Sequence, residues 1–160
     1  MSSFTQATMT IRPAQVGDSP HICRIVNQWA DEARMLWRWE SEVAHSIRDF
    51  RVAEIAGKVV ACGALLIYDA NLGEIRSLAV DPSAHGMGLG KRLVEDLAAE
   101  GKRLGLTRVF AFTLVPEFFA KLGFEQVTPD TLPQKVWKDC VNCPKKDACD
   151  EIAMMIEVNP

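Results

Sequence analysis

Glu74-Ile-Arg-Ser-Leu-Ala-Val-Asp-Pro-Ser-Ala-His-Gly-Met-Gly-Leu-Gly90 joins a strand that halts at a proline to a loop whose alternate residues become glycine. An amphipathic helix beginning near Lys91 follows. Glycines at 86, 88 and 90 allow positive φ and a close approach of backbone to a ligand, and the first-turn N–H groups of the helix point into the loop. A phosphate placed there meets several donors and the positive end of the helix dipole. On physical grounds alone the loop therefore binds a phosphate-bearing ligand. It lacks the Gly-Lys-Ser/Thr ending of a nucleotide loop, and an antiparallel meander precedes it where a dinucleotide fold would have a parallel βαβ unit.

Outward from this stretch, the periodicity predicts an α+β chain. Thr8 to Arg12 alternates into Pro13 and reads as a short first strand. Asp18 or Ser19 caps the next helix, which presents Ile22, Ile25, Val26 and Trp29 to the core and continues to Met35. Leu36-Trp-Arg-Trp-Glu40 breaks the pattern, and a short helix follows from Ser41 to Ile47. Phe50–Ile55 and Val59–Ile67 flank an Ala-Gly-Lys turn as an antiparallel pair, with Cys62 a small buried residue. Tyr68 to Leu72 is a turn, and Glu74–Val80 the next strand.

Beyond the loop, Lys91–Leu104 is a helix with Leu93, Val94, Leu97, Ala98 and Leu104 on its buried face, stopped by Gly105. Thr107–Thr113 is a strand, Pro116 opens a short helix ending at Gly123, and Phe124–Val127 and Ile152–Val158 are the last strands. The expected architecture is a mixed, largely antiparallel twisted sheet with helices on both faces. Residues 1–160 are read as one domain, with a poorly periodic insert at 128–150 before the final strand.

The bulk properties agree with an ordinary globular domain of 160 residues, 48% apolar and 24% charged. A net charge of −3 and no long block of like charges argue against a nucleic-acid surface. The absence of a long apolar run or leader pattern points to a cytoplasmic protein with no membrane span. Five cysteines without a secretion signal read as thiols or metal ligands. Cys140, Cys143 and Cys149 have the spacing to start a zinc site, but a structural zinc site takes four ligands. A loop of reduced or redox-sensitive thiols accounts for them equally well.

Glu-Ile-Arg-Ser-Leu-Ala-Val-Asp-Pro, the glycine loop with Lys91-Arg92-Leu93, and Pro116-Glu-Phe-Phe-Ala-Lys-Leu-Gly-Phe124 together resemble the two signature segments of the GNAT acetyl-coenzyme A dependent N-acetyltransferases. The resemblance in strand order covers nearly the whole chain. It implies acetyl-CoA as cosubstrate, with no metal required. The pyrophosphate would lie on the amides of roughly Met87 to Lys91, and the pantetheine arm along the strand ending at Val80. The cofactor-binding set it implies is Leu78, Ala79, Val80, His85, Gly86, Met87, Gly88, Leu89, Gly90, Lys91, Arg92 and Phe119. The Leu78 amide would serve as oxyanion donor. His85 stands where the family has arginine or glutamine.

Glu74 matches a position at which some members carry the general base, and alternation would set Glu74, Arg76 and Leu78 on one face. Its other reading is a strand-end carboxylate paired with Arg76. Phe119 stands where many members have the tyrosine that protonates the leaving thiolate, and the one tyrosine, Tyr68, sits in another segment.

Within the family, Arg38, Val115-Pro-Glu-Phe-Phe119 and Lys135-Val-Trp-Lys-Asp-Cys-Val-Asn-Cys-Pro144 look like the short N-acetylglutamate synthases. That implies acetyl transfer to the α-amine of L-glutamate, the first step of arginine biosynthesis. Arg38, Arg76 and Lys135 are then the cations expected at a small amino-acid acceptor, each otherwise a solvated charge, and a homodimer is compatible with this. The alternatives are another small amine or a protein N-terminus as acceptor, a non-catalytic acyl-CoA sensor, or a zinc-dependent interaction module.

Overall fold

The computed structural model describes residues 8–30, 37–132 and 151–160. Lys135, Trp137 and Cys140, Cys143 and Cys149 lie outside these residues. The described strands are β1 (Met9–Pro13), β2 (Phe50–Ile55), β3 (Lys58–Ile67), β4 (Leu72–Val80), β5 (Arg108–Thr113), β6 (Glu125–Val127) and β7 (Ile152–Glu157). The α-helices are α1 (Ser19–Ala30), α2 (Glu40–His45), α3 (Leu89–Arg103) and α4 (Pro116–Ala120). The strands form one sheet in the order β1-β2-β3-β4-β5-β7-β6. It is largely antiparallel, with β4 and β5 parallel.

Contacts gather the chain into two compact units, the first of residues up to Leu65 with Ile75–Leu97, the second of Leu66–Glu74 with the chain from Ala98 onward. In the first, β1, β2 and β3 pair antiparallel. The β2–β3 turn places Ala56 at φ 51° and Gly57 at φ 76°. Positive φ at both central residues is the type I′ geometry that matches strand twist. The register then slips between Ala53 and Glu54, inserting Val60 as an extra residue. As a result Val60 and Ala61 both face one core, while Val59 and Cys62 face another.

Those two cores lie on opposite faces of the sheet. Ile22, Ile25 and Val26 of α1 and Val43 of α2 pack on Phe50, Val52, Cys62 and Ala79. Leu89 and Leu93 of α3 pack on Ala53, Ile55, Val60 and Ala61. Gly63 lets α3 come close to β3, because a Cβ there would stand 3.0 Å from Leu97 Cδ1 and 3.2 Å from Leu78 Cδ1. In the second unit, Leu72, Phe110, Leu132, Ala153 and Met155 form a core against Tyr68, Phe112 and Val127. Asn159 fastens the chain after β7 to the end of α3 through the carbonyls of Lys102 (3.0 Å) and Leu106 (2.8 Å).

Several boundaries and faces differ from the expectation, among them α2, which spans Glu40–His45, and α4, which ends at Ala120. β4 starts at Leu72, two residues early, because Asp69 Oδ1 accepts from the amides of Asn71 and Leu72 and closes the turn sooner. α3 starts at Leu89. Gly90 is therefore the second helical residue, and only Gly86 and Gly88 of the loop glycines have positive φ. Leu104, placed on the buried face by periodicity, is 48% exposed, since the helix has ended before it.

Candidate active site

The loop is built by two glycines in the left-handed region, Gly86 at φ 80° and Gly88 at φ 75°, both with open space where a Cβ would stand. Conformation, not crowding, is what glycine supplies here. The Arg92 amide donates to the Gly88 carbonyl at 3.2 Å, which makes Gly88 the N-cap of α3. The amides of Leu89, Gly90 and Lys91 then have no acceptor within the helix. No acidic residue occupies the first turn of α3. Lys91 and Arg92 occupy it instead, and both are exposed. Cations at a helix N-terminus oppose the dipole, an arrangement that an anion bound to the same amides reverses. Leu89 is fully buried and Met87 half-buried on the α3 core, so they contribute backbone only.

Upstream, Asp81 caps the short turn Pro82–Ala84 through the Ser83 amide at 3.0 Å and hydroxyl at 2.8 Å, and pairs with Arg24 of α1 at 2.9 Å. Burial alone would push its carboxyl up, but these donors outweigh it and hold it at about 2. His85 lies nearly parallel to Trp29, with centroids 5.4 Å apart. The Val80 carbonyl receives both Trp29 Nε1 (3.2 Å) and His85 Nε2 (3.2 Å). A ring nitrogen facing a carbonyl carries the proton, so His85 Nε2 is the donor of this pair. Its ring is committed to Val80, and that carbonyl is closed to any other donor.

In the middle of β4, Ser77 has φ 55°. A left-handed non-glycine residue costs about 1–3 kcal/mol and persists only where the surroundings impose it. Its carbonyl accepts from Cys62 Sγ at 3.4 Å. This kink shifts the side-chain parity. Arg76 acts on Asp49, which follows α2, while Leu78 and Val80 pack on the α3 core and Ala79 on the α1–α2 core. The expected common face of Glu74, Arg76 and Leu78 is therefore corrected, with Leu78 on the opposite face from Arg76. Burial raises the Asp49 carboxyl, and Arg76 pulls it back down.

Glu74 is buried, with 8% exposure. Its Oε1 accepts from the Tyr68 hydroxyl at 2.7 Å. The Tyr68 ring stacks on Phe110 with centroids 5.9 Å apart, and Phe110 is the β5 residue in register with Glu74. In the sequence Tyr68 stands out only as a tyrosine in another segment from Phe119, with no link to Glu74. The signal for the pair is Asp69-Ala-Asn71, an aspartate turn that folds residue 68 back beside the start of β4, where the Tyr68 amide donates to the Leu72 carbonyl at 2.9 Å.

Arg38 precedes α2, its guanidinium 3.9 Å from Glu42. Its backbone is held by Asn27 of α1, whose Oδ1 accepts from the Arg38 amide and whose Nδ2 donates to the Arg38 carbonyl, each at 2.9 Å. Cys23 Sγ reaches the same carbonyl at 3.2 Å. Both Arg38 and Arg76 thus lie on the α1–α2 side of the sheet. Trp37 and Trp39 meet edge to face with centroids 4.6 Å apart, and both are exposed rather than packed. Phe119, expected among the cofactor contacts, is 4% exposed and stands edge-on to Phe118 and Phe124. Its ring is committed to packing.

The sequence model of the acetyltransferase (GNAT) family matches residues 14–124. A Chlorobaculum tepidum protein described as an uncharacterized N-acetyltransferase is 42% identical over 93% of this chain and 96% of its own length. The amino-acid acetyltransferase of Mycobacterium tuberculosis is 39% identical over 76% of this chain and 72% of its own. The structure of N-acetylglutamate synthase from Neisseria gonorrhoeae complexed with coenzyme A and N-acetyl-glutamate superposes with a TM-score of 0.85 at 28% identity. That match covers 98% of this chain but only 36% of the Neisseria chain, so the present chain spans about a third of that synthase.

Proposed function

We propose, from the premise that this chain belongs to the acetyltransferase (GNAT) family, that it transfers acetyl from acetyl-CoA to the α-amine of an acidic amino acid, foremost L-glutamate. The observation that carries the cosubstrate is the loop at α3. Two left-handed glycines, three amides without helical acceptors and a basic first turn fit a pyrophosphate. Acetyl-CoA supplies the activated acetyl group as a thioester.

The chain's own residues divide the remaining work. Ser77 interrupts β4 directly before Leu78, and a residue at positive φ redirects the amide that follows it. Our reading gives the Leu78 amide the thioester oxygen, where a single such donor is worth ~3–4 kcal/mol. Glu74 takes a proton from the acceptor ammonium, directly or through water, a role worth ~10²–10⁴-fold. Arg38 and Arg76 bind the acceptor carboxylates by charge-assisted pairs. Glutamate is favoured because these cations suit two carboxylates, and because relatives carry the names amino-acid acetyltransferase and N-acetylglutamate synthase.

Thiol release from acetyl-CoA, measured across the amino acids, simple amines and a peptide N-terminus, tests this. Glutamate should give the highest kcat/KM, followed by aspartate. A preference for polyamines or peptides, or coenzyme A binding without turnover on any amine, would refute the acceptor assignment.

A further inference from the structure

Tyr68 is the single tyrosine of the chain, and it points its hydroxyl at Glu74 Oε1 from 2.7 Å. A carboxylate with 8% exposure has lost most of its hydration and needs donors to remain ionised. A short O–H···O⁻ contact is among the stronger hydrogen bonds available to it. The phenol is fixed from several directions. Its ring lies on Phe110 at 27°, Phe110 meets Phe112 edge-on, and the Tyr68 amide is bonded to Leu72. Asp69 closes the turn behind it. Nothing in a general strand-to-strand connection requires this; a phenylalanine would pack on Phe110 equally well.

We propose that Tyr68 is the positioning residue of the catalytic base, orienting the Glu74 carboxylate and holding it in the ionised form that accepts the ammonium proton. The inference rests on the reading of Glu74 as base. In each turnover an N–H bond of the acceptor ammonium breaks and an O–H bond forms on Glu74 or an intervening water, while Tyr68 keeps its own proton. Among the described residues, the other charged groups on β4, the connection, β5 and the paired β7 are Arg76, Asp69, Arg108 and Glu157. The Arg108 guanidinium reaches Met155 Sδ at 3.9 Å.

Tyr68→Phe keeps the ring and removes only the hydroxyl. Loss of a hydrogen bond to a charged group should lower kcat/KM for the acceptor about 10-fold near neutral pH. The acidic limb of the rate profile should move up by about one pH unit, because the carboxylate is then easier to protonate. The KM for acetyl-CoA should stay within about twofold, which also reports an intact fold. A second measurement does not depend on activity. Because the chain has one tyrosine, its tyrosinate absorbance can be titrated directly. The adjacent carboxylate should delay ionisation of Tyr68 beyond about pH 10, and Glu74→Gln should bring it back.

If Glu74→Gln removes the pH dependence but Tyr68→Phe leaves the profile superimposable on the parent, the tyrosine assignment is overturned and the base survives. If Glu74→Gln leaves turnover unchanged at all pH values, the base reading falls and this inference with it. A tyrosine that ionises at its ordinary pH in the intact protein would overturn the contact itself.

Discussion

Arg38 reaches its position through a backbone clamp, since both its amide and its carbonyl are bonded to one asparagine a helix away. Asn27→Ala removes both bonds to the Arg38 backbone, each worth about 0.5–1.5 kcal/mol, together with a contact to Cys23 Sγ at 3.2 Å, without touching the guanidinium. If Arg38 binds an acceptor carboxylate, the acceptor KM should rise about 5- to 10-fold while the KM for acetyl-CoA stays constant. Asn27→Asp keeps the acceptor for the Arg38 amide and loses the donor to its carbonyl, so it should fall between the two. Steady-state kinetics with glutamate varied at saturating acetyl-CoA checks this, and equal changes in both KM values would contradict it. Arg38 could be picked out as an arginine between two tryptophans, and Glu74 through the family resemblance of its segment. Asn27 and Tyr68 could not, because each acts on a residue brought near by a turn or a helix-helix connection, which one-dimensional spacing does not encode.

Periodicity and turn residues together located every described strand and α-helix, and periodicity failed where the backbone leaves its own period. The slip at Val60 and the kink at Ser77 each reverse the alternation downstream. That is why Leu78 parts from Arg76. Neither Val nor Ser at these positions signals a bulge. The β2–β3 turn shows the opposite case, a feature anticipated from Ala-Gly whose cost appears only in the dihedrals. Ala56 at φ 51° occupies a conformation that penalises a Cβ, and Asn tolerates it best among residues with one. Ala56→Asn should stabilise the protein by about 0.5–1 kcal/mol, read as a higher urea midpoint with an unchanged slope. A lower midpoint would mean that the turn is not type I′ in solution. At the α3–β3 crossing, Gly63→Val should cost ~1–3 kcal/mol, because Leu97 and Leu78 must both move.

At the scale of the molecule, the acidic carboxylates decide how the fold responds to pH. Two of them, Asp18 and Asp81, are held below their ordinary range. Asp18 owes this first to the Arg12 hydrogen bonds at 2.8 and 3.0 Å. Asp81, raised by burial but lowered further by Arg24 and Ser83, sits at about 2. A carboxyl with a depressed folded pKa binds its proton more readily when unfolded. The stabilisation it gives is therefore complete above about pH 4 and is lost as pH falls toward 2. Asp49, raised chiefly by burial, works in the opposite sense and favours the fold slightly as acid first neutralises it.

Asp81→Asn preserves a capping oxygen for Ser83 and removes the charge. With Arg24 44% exposed, solvent screening trims the full shift to about 1–2 kcal/mol at neutral pH, or 2–8 °C in Tm. Thermal melts of the two proteins should differ by that amount at pH 7, begin to converge below about pH 4 and have lost most of the gap near pH 2, where folded Asp81 is half protonated. A gap that persists unchanged to pH 2 would show that the substitution acts through packing rather than through the Arg24 pair.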